Sequence, residues 1–146
     1  MTITVRQATP DDLDAIVMLL GALHDPSRAS ADGESWKAML AQTGRTILLA
    51  ERDGDPVGTA DLWIAPTLLN GAAPRGYVAY VAVLASARRS GVGRALMEDA
   101  HRRAVEAGCG DVVLMSGDHR PDAHRFYAAI GYERCAVGLR KRLREE

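Results

Sequence analysis

Residues 77–84 read Tyr-Val-Ala-Tyr-Val-Ala-Val-Leu, and the chain then passes through Arg88-Arg89-Ser90-Gly91-Val92-Gly93 into a stretch of helical spacing. A short, valine-rich apolar run of this kind suits a buried strand. From Val92 onward apolar side chains recur at Leu96, Ala100 and Ala104, and Gly108 supplies a stop. A basic, glycine-bearing turn therefore feeds a helix N-terminus directly. The first N–H groups of a helix have no intrahelical acceptor, and the dipole there favours negative charge. Glycines without Cβ let an anion reach those donors closely. The stretch reads as a seat for phosphate or pyrophosphate.

The common nucleotide motifs do not account for it. The P-loop pattern is absent, and the dinucleotide fingerprint fails at its third glycine, where Leu96 stands. At 146 residues the chain has the length of one domain, 1–146. A net charge of −1 gives no global field for nucleic acid or an acidic membrane. No run approaches the length that spans a bilayer. The N-terminus lacks the long apolar core of a secretory signal. Two cysteines, Cys109 and Cys135, make neither a disulfide framework nor a metal site; both are expected to pack as small apolar residues, in a reducing cytoplasm.

The remaining chain resolves into alternating elements. Ile3–Arg6 alternates like a strand, and Thr9-Pro10-Asp11-Asp12 announces a helix whose buried stripe is Leu13, Ile16, Val17, Leu20 and Leu23. His24–Ser35 reads as a loop, followed by a short helix over Ser35–Gln42 with Trp36, Met39 and Leu40 inward. Thr46–Arg52 and Pro56–Ile64 form a hairpin around Asp53-Gly54-Asp55. Ala65–Gly76 is a second loop carrying Leu68 and Leu69. After the central strand, turn and helix come a strand over Asp111–Met115, a helix over Pro121–Ile130 ended by Gly131, and two closing strands, Tyr132–Cys135 and Gly138–Leu143. The sum is a layered, mixed α/β sheet in which two parallel strands joined by a crossover helix sit beside antiparallel hairpins.

Arg88-x-x-Gly91-x-Gly93 resembles motif A of the GNAT superfamily of acetyl-CoA-dependent N-acetyltransferases. Independently, Ala123, Phe126-Tyr127 and Gly131-Tyr132 resemble the family's motif B, and the two motifs occur in family order. The resemblance covers nearly the whole chain. It implies the single-domain GNAT fold: a mixed, mostly antiparallel sheet of about six or seven strands, four flanking helices, and splayed central strands. Locally, Asp122–Tyr127 is similar to bacterial small-amine acetyltransferases, including the aminoalkylphosphonate N-acetyltransferases.

The resemblance carries roles onto particular positions. Arg88, Arg89, Ser90, Gly91, Val92, Gly93 and Arg94 would hold the coenzyme A pyrophosphate, chiefly through main-chain N–H groups. Val81, Ala82 and Val83 would pair with the pantetheine arm and thioester carbonyl. Tyr127 would protonate the leaving thiolate. An asparagine often precedes motif B and binds pantetheine; Arg120 stands at that position here. Many members also place a glutamate on the strand before motif A as general base, whereas Val78-Ala79-Tyr80-Val81 has no carboxylate. The candidates for that task are Asp61, His119, His24 or water, while Tyr80 either lines the acceptor pocket or packs on the sheet.

The expected activity is acetyl transfer from acetyl-CoA to a primary amine of a small molecule, by direct attack in a ternary complex. The alternatives are a protein lysine or N-terminal acetyltransferase, and a non-catalytic acyl-CoA sensor. No metal, nucleic-acid or membrane partner is expected, and a homodimer is suggested by the family alone.

Overall fold

The structure, a computed structural model, describes residues 2–23, 26–117 and 120–144. They fall into two units, one ending at Leu114 and the other starting at Met115.

In the first unit, strand β1 (Ile3–Gln7) leads into a 3-10 turn at Pro10–Asp12 and helix α1 (Leu13–Leu23). The Thr9 hydroxyl accepts from the Asp11 N–H and the Asp12 carboxylate accepts from the Thr9 N–H, so the first orphan donors are satisfied as the sequence foretells. The buried stripe of α1 runs through Ile16 and Leu19; Val17, expected inward, is only half-buried. Helix α2 (Gly33–Ala41) starts two residues before the expected Ser35, because Asp32 caps it by accepting from the N–H groups of Glu34 and Ser35. Trp36 is buried and its indole N–H donates to the Pro10 carbonyl (3.3 Å), which ties α2 to the start of α1.

Strands β2 (Arg45–Arg52) and β3 (Asp55–Ala65) form the expected hairpin. Asp53 and Gly54 both take positive φ (52° and 88°), the geometry of a two-residue primed turn, so Arg52 pairs with Asp55. Strand β4 (Arg75–Val83), helix α3 (Val92–Glu106) and strand β5 (Asp111–Leu114) complete a five-stranded sheet of order β1-β2-β3-β4-β5. Every pairing is antiparallel except β4 with β5, which is parallel.

The two sheet faces are covered differently. Ile47 and Leu49 of β2 join Ile16, Leu19 and Trp36 in one core cluster under α1 and α2. On the other face α3 approaches β3 so closely that a Cβ on Gly58 would lie 2.8 Å from Val92 Cγ1 and 3.0 Å from Leu96 Cδ1. The contact at Gly58 fixes where the N-terminus of α3 stands relative to the sheet.

In the second unit, helix α4 (Pro121–Ala129) ends at Gly131, which takes φ 102°. The closing strands expected at Tyr132–Cys135 and Gly138–Leu143 are not formed: residues 132–142 carry no regular structure. The sheet of the described residues therefore has five strands rather than six or seven, although its mixed character, its four helices and the expected fold stand. A strand needs a partner for its N–H and C=O groups, and none is formed here among the described residues. Cys135, expected to pack, is exposed.

Candidate active site

The ladder between β4 and β5 runs from Arg75↔Asp111 to Val78↔Leu114 and stops there. Toward β3, the ladder of β4 shifts register: Asp61 faces Ala79 and Thr59 faces Ala82, so Tyr80 and Val81 together oppose Ala60. This is a β-bulge, and Tyr80 takes the left-handed φ of 52° that it demands. Holding a non-glycine residue there costs about 1 kcal/mol or more. The result is a strand that parts from β5 and kinks within one or two residues. Val81, Ala82 and Val83 follow the kink, and Leu84 N–H still donates to the Val57 carbonyl (2.9 Å).

The turn follows at once. Ala85–Ala87 makes a 3-10 turn, the Ser90 hydroxyl donates to the Ala87 carbonyl, and Arg89 takes φ 62°. Gly91, at φ 89°, occupies the N-cap of α3 with no side chain to offer. The helical ladder begins with Ala95 N–H donating to the Gly91 carbonyl (3.0 Å), which leaves the N–H groups of Val92, Gly93 and Arg94 ahead of it. Thr9 and Asp32 close the segments that open α1 and α2; the start of α3 is left open. Arg88 and Arg89 are exposed, with Arg88 Nε donating weakly to the Val83 carbonyl (3.4 Å), and Arg94 lies 3.8 Å from Glu98 on the helix surface. The positions read from the sequence, 81–83 and 88–94, form one continuous run along the parted strand and the open helix end.

In the second unit Arg120 is the N-cap residue of α4 and Tyr127 lies on its last turn. The Tyr127 ring meets Phe126 edge-on at 5.2 Å and Tyr132 at 5.8 Å. Burial pushes its phenol pKa above the ordinary value, an effect opposed by the Arg120 charge. Such a phenol stays protonated at neutral pH.

Among the base candidates, Asp61 is buried and held by Arg45 through two hydrogen bonds, from Nε at 3.0 Å and from the terminal guanidinium nitrogen at 2.5 Å. Arg45 is itself stacked 4.1 Å over the Trp63 ring. Both carboxylate oxygens are taken up by the guanidinium, and the pair is buried on both sides. This pairing leaves no sign in the sequence, because Arg45 and Asp61 meet only through the hairpin register. His24 and His119 lie outside the described residues. Tyr80 is 56% exposed, so it is not a core packing residue. Among the described residues no group of three or more His, Cys, Asp or Glu side chains is placed to hold a metal, and no helix is long and apolar enough to cross a membrane.

The profile of the Acetyltransferase (GNAT) family matches residues 14–132. The aminoglycoside N(6')-acetyltransferase type 1 of Stenotrophomonas maltophilia is 30% identical over 132 residues, covering 89% of this chain and 86% of its own. A solved structure of an assigned acetyltransferase from Agrobacterium tumefaciens str. C58 is 36% identical, covers 95% of this chain and 99% of its own, and superposes with a TM-score of 0.87. A transcriptional regulator from Bacillus halodurans C-125 shares the fold with a TM-score of 0.89 at 26% identity, over 97% of this chain and all (100%) of its own. A mixed sheet parted beside an open helix end is the frame of an acyl-transferring enzyme. The chain belongs to the GNAT acetyltransferase family.

Proposed function

We propose that this chain, acting as one domain in the cytoplasm, transfers the acetyl group of acetyl-CoA to a primary amine of a small molecule, by direct attack in a ternary complex. The observation that carries the reading is the uncapped N-terminus of α3, placed behind a basic glycine turn where β4 has parted from β5. In this reading the N–H groups of Val92, Gly93 and Arg94 grip the pyrophosphate. The backbone of Val81–Val83 pairs with the pantetheine arm, with Arg120 as a further contact. A main-chain donor facing the thioester oxygen stabilises its developing charge, a contribution of about 3 kcal/mol in comparable sites. The amine nitrogen bonds to the carbonyl carbon, the carbon–sulfur bond breaks, Tyr127 gives its proton to the leaving thiolate, and the proton shed by the new amide nitrogen returns through water to the tyrosinate. With Asp61 engaged by Arg45, the ammonium proton leaves to solvent water before attack. The aminoglycoside acetyltransferase relative supports a small-molecule acceptor.

Tyr127→Phe tests the assignment. Thiol release across an amine panel is expected to fall about 100-fold or more, with the calorimetric affinity for coenzyme A unchanged. Undiminished turnover would remove Tyr127 as the acid, and a wild-type protein from which none of the amines elicits thiol release would remove the transferase reading.

A further inference from the structure

Tyr127 stands in the last turn of α4, where backbone carbonyls lack intrahelical donors and a helix frays. The residues that follow hold this turn closed. Gly131 N–H donates to the Ala128 carbonyl (3.1 Å) and Tyr132 N–H to the Tyr127 carbonyl (3.0 Å), the paired bonds of a Schellman cap. Such a cap needs left-handed backbone after the helix, and Gly131 takes φ 102° with open space where a Cβ would lie. The reversal returns the chain over the helix end, so Tyr132 comes to lie beside Tyr127. Their ring centroids are 5.8 Å apart at an interplanar angle of 68°, an edge-to-face contact. Phe126 meets the same ring at 5.2 Å and 63°. The helix itself gives the Tyr127 ring little else to lean on: one turn back, Ala123 offers only a methyl and His124 is exposed.

Of the two phenols, Tyr132 is the poorer proton donor. Burial pushes it up to about 12, and the charge of an ionised Tyr127 adds to the shift. What it supplies here is its ring. A general acid must stand within hydrogen-bond reach of the atom it protonates, and a misplacement of about 1 Å costs up to roughly 100-fold in rate. We infer that Tyr132 is a positioning residue: the glycine turn behind α4 lays its ring against Tyr127 and fixes the direction of that phenol. The role in turnover rests on the acetyltransferase reading, whereas the ring contact does not.

Tyr132→Phe keeps the ring and Tyr132→Leu keeps only apolar bulk, and each is compared with wild type by thiol release across the amine panel, calorimetry with coenzyme A, and NMR couplings between Hα and Hβ of Tyr127. Tyr132→Phe is expected to keep kcat within about threefold, and Tyr132→Leu to lose about 10-fold in kcat with the KM for acetyl-CoA and the coenzyme A affinity unchanged. In a Tyr127→Phe background Tyr132→Leu should cost nothing further, because no acid is left to place. The couplings should report one χ1 rotamer in wild type and Tyr132→Phe, and an average over rotamers in Tyr132→Leu. An unchanged kcat in Tyr132→Leu, or the same loss repeated in the Tyr127→Phe background, overturns the positioning role. If Tyr127→Phe itself turns over like wild type the acid reading falls, and if no amine releases thiol the transferase reading falls; in either case rotamer averaging in Tyr132→Leu upholds the ring contact and unchanged couplings overturn it.

Discussion

Replacing Gly91 by Asp separates the stability of α3 from its capacity to hold an anion. Gly91 takes φ 89°, and a Cβ built on it meets nothing within 4 Å, so a side chain there has room. Left-handed backbone costs an ordinary L-residue about 1–2 kcal/mol, and less for Asp. A carboxylate at the N-cap accepts from the free N–H groups of the first turn and stabilises the helix by about 1 kcal/mol. The two nearly cancel, and the melting temperature is expected to stay within about 4 °C of wild type. Binding behaves otherwise. In the proposed complex the new carboxylate would cover the donors assigned to the pyrophosphate; at a separation of about 4 Å each like-charge pair costs about 1 kcal/mol at the dielectric of water and about 4 kcal/mol at an effective value of 20. For an exposed turn facing two phosphate charges, about 2–4 kcal/mol follows, a loss of roughly 30- to 1,000-fold in affinity. Calorimetry with coenzyme A measures it, and the loss should deepen at low salt as screening weakens. Gly91→Ala carries the strain without the charge and should lose less than about 10-fold. A Gly91→Asp protein that melts normally and binds coenzyme A within about threefold of wild type would refute the anion seat.

Gly58→Ala places a Cβ 2.8 Å from Val92 Cγ1 and 3.2 Å from the Ala82 carbonyl, so the α3–β3 contact is overpacked by about 1–3 kcal/mol and the melting temperature should fall by about 3–12 °C. Adding Val92→Ala removes the clashing methyl and should restore part of the loss; an unmoved melt denies the close contact. Asp12 accepts two hydrogen bonds from Arg6 (2.8 and 2.9 Å), and these hold its carboxyl down at about 2. A depressed carboxyl contributes its full stability above the ordinary carboxylate range and loses it as pH falls from about 4 through about 2. With the Arg6 side chain 40% exposed, solvent screening discounts the contribution to roughly 1 kcal/mol. The urea midpoint of Asp12→Asn should consequently vary less between pH 5 and pH 2.5 than that of wild type, and an identical slope would show that the pair contributes nothing.

What was legible in the sequence was local. The Asp53-Gly54 turn, the Thr9 cap and the glycine stops at 108 and 131 are each written in the residues that adopt them, and the structure holds them at those places. The open start of α3 is legible for the same reason, since its leading N–H groups belong to consecutive residues. What escaped depends on pairs distant in the chain. Asp61 looked like a free carboxylate until the β2–β3 register brought Arg45 onto it. The Tyr80 bulge has no compositional signal, because nothing about Tyr marks it for left-handed φ; it arises where β3 and β4 differ by one residue between two rungs. The closing strands fail for the converse reason: no described neighbour pairs with Tyr132–Cys135 or Gly138–Leu143.

The β4–β5 ladder ends at Val78, although β4 runs on, paired with β3, to Val83. Interior strands ordinarily pair on both sides, because an unpaired backbone N–H or C=O away from water forfeits about 1–3 kcal/mol. Beyond Val78 the β5 side of β4 has no rung in the ladder. Arg75 and Asp111 pair across the first rung of that ladder, and the close Gly58–Val92 contact sets α3 against β3 beyond the bulge. In the proposed complex the β4 groups beyond Val78 would pair with the alternating amides of the pantetheine arm, as they would with a neighbouring strand.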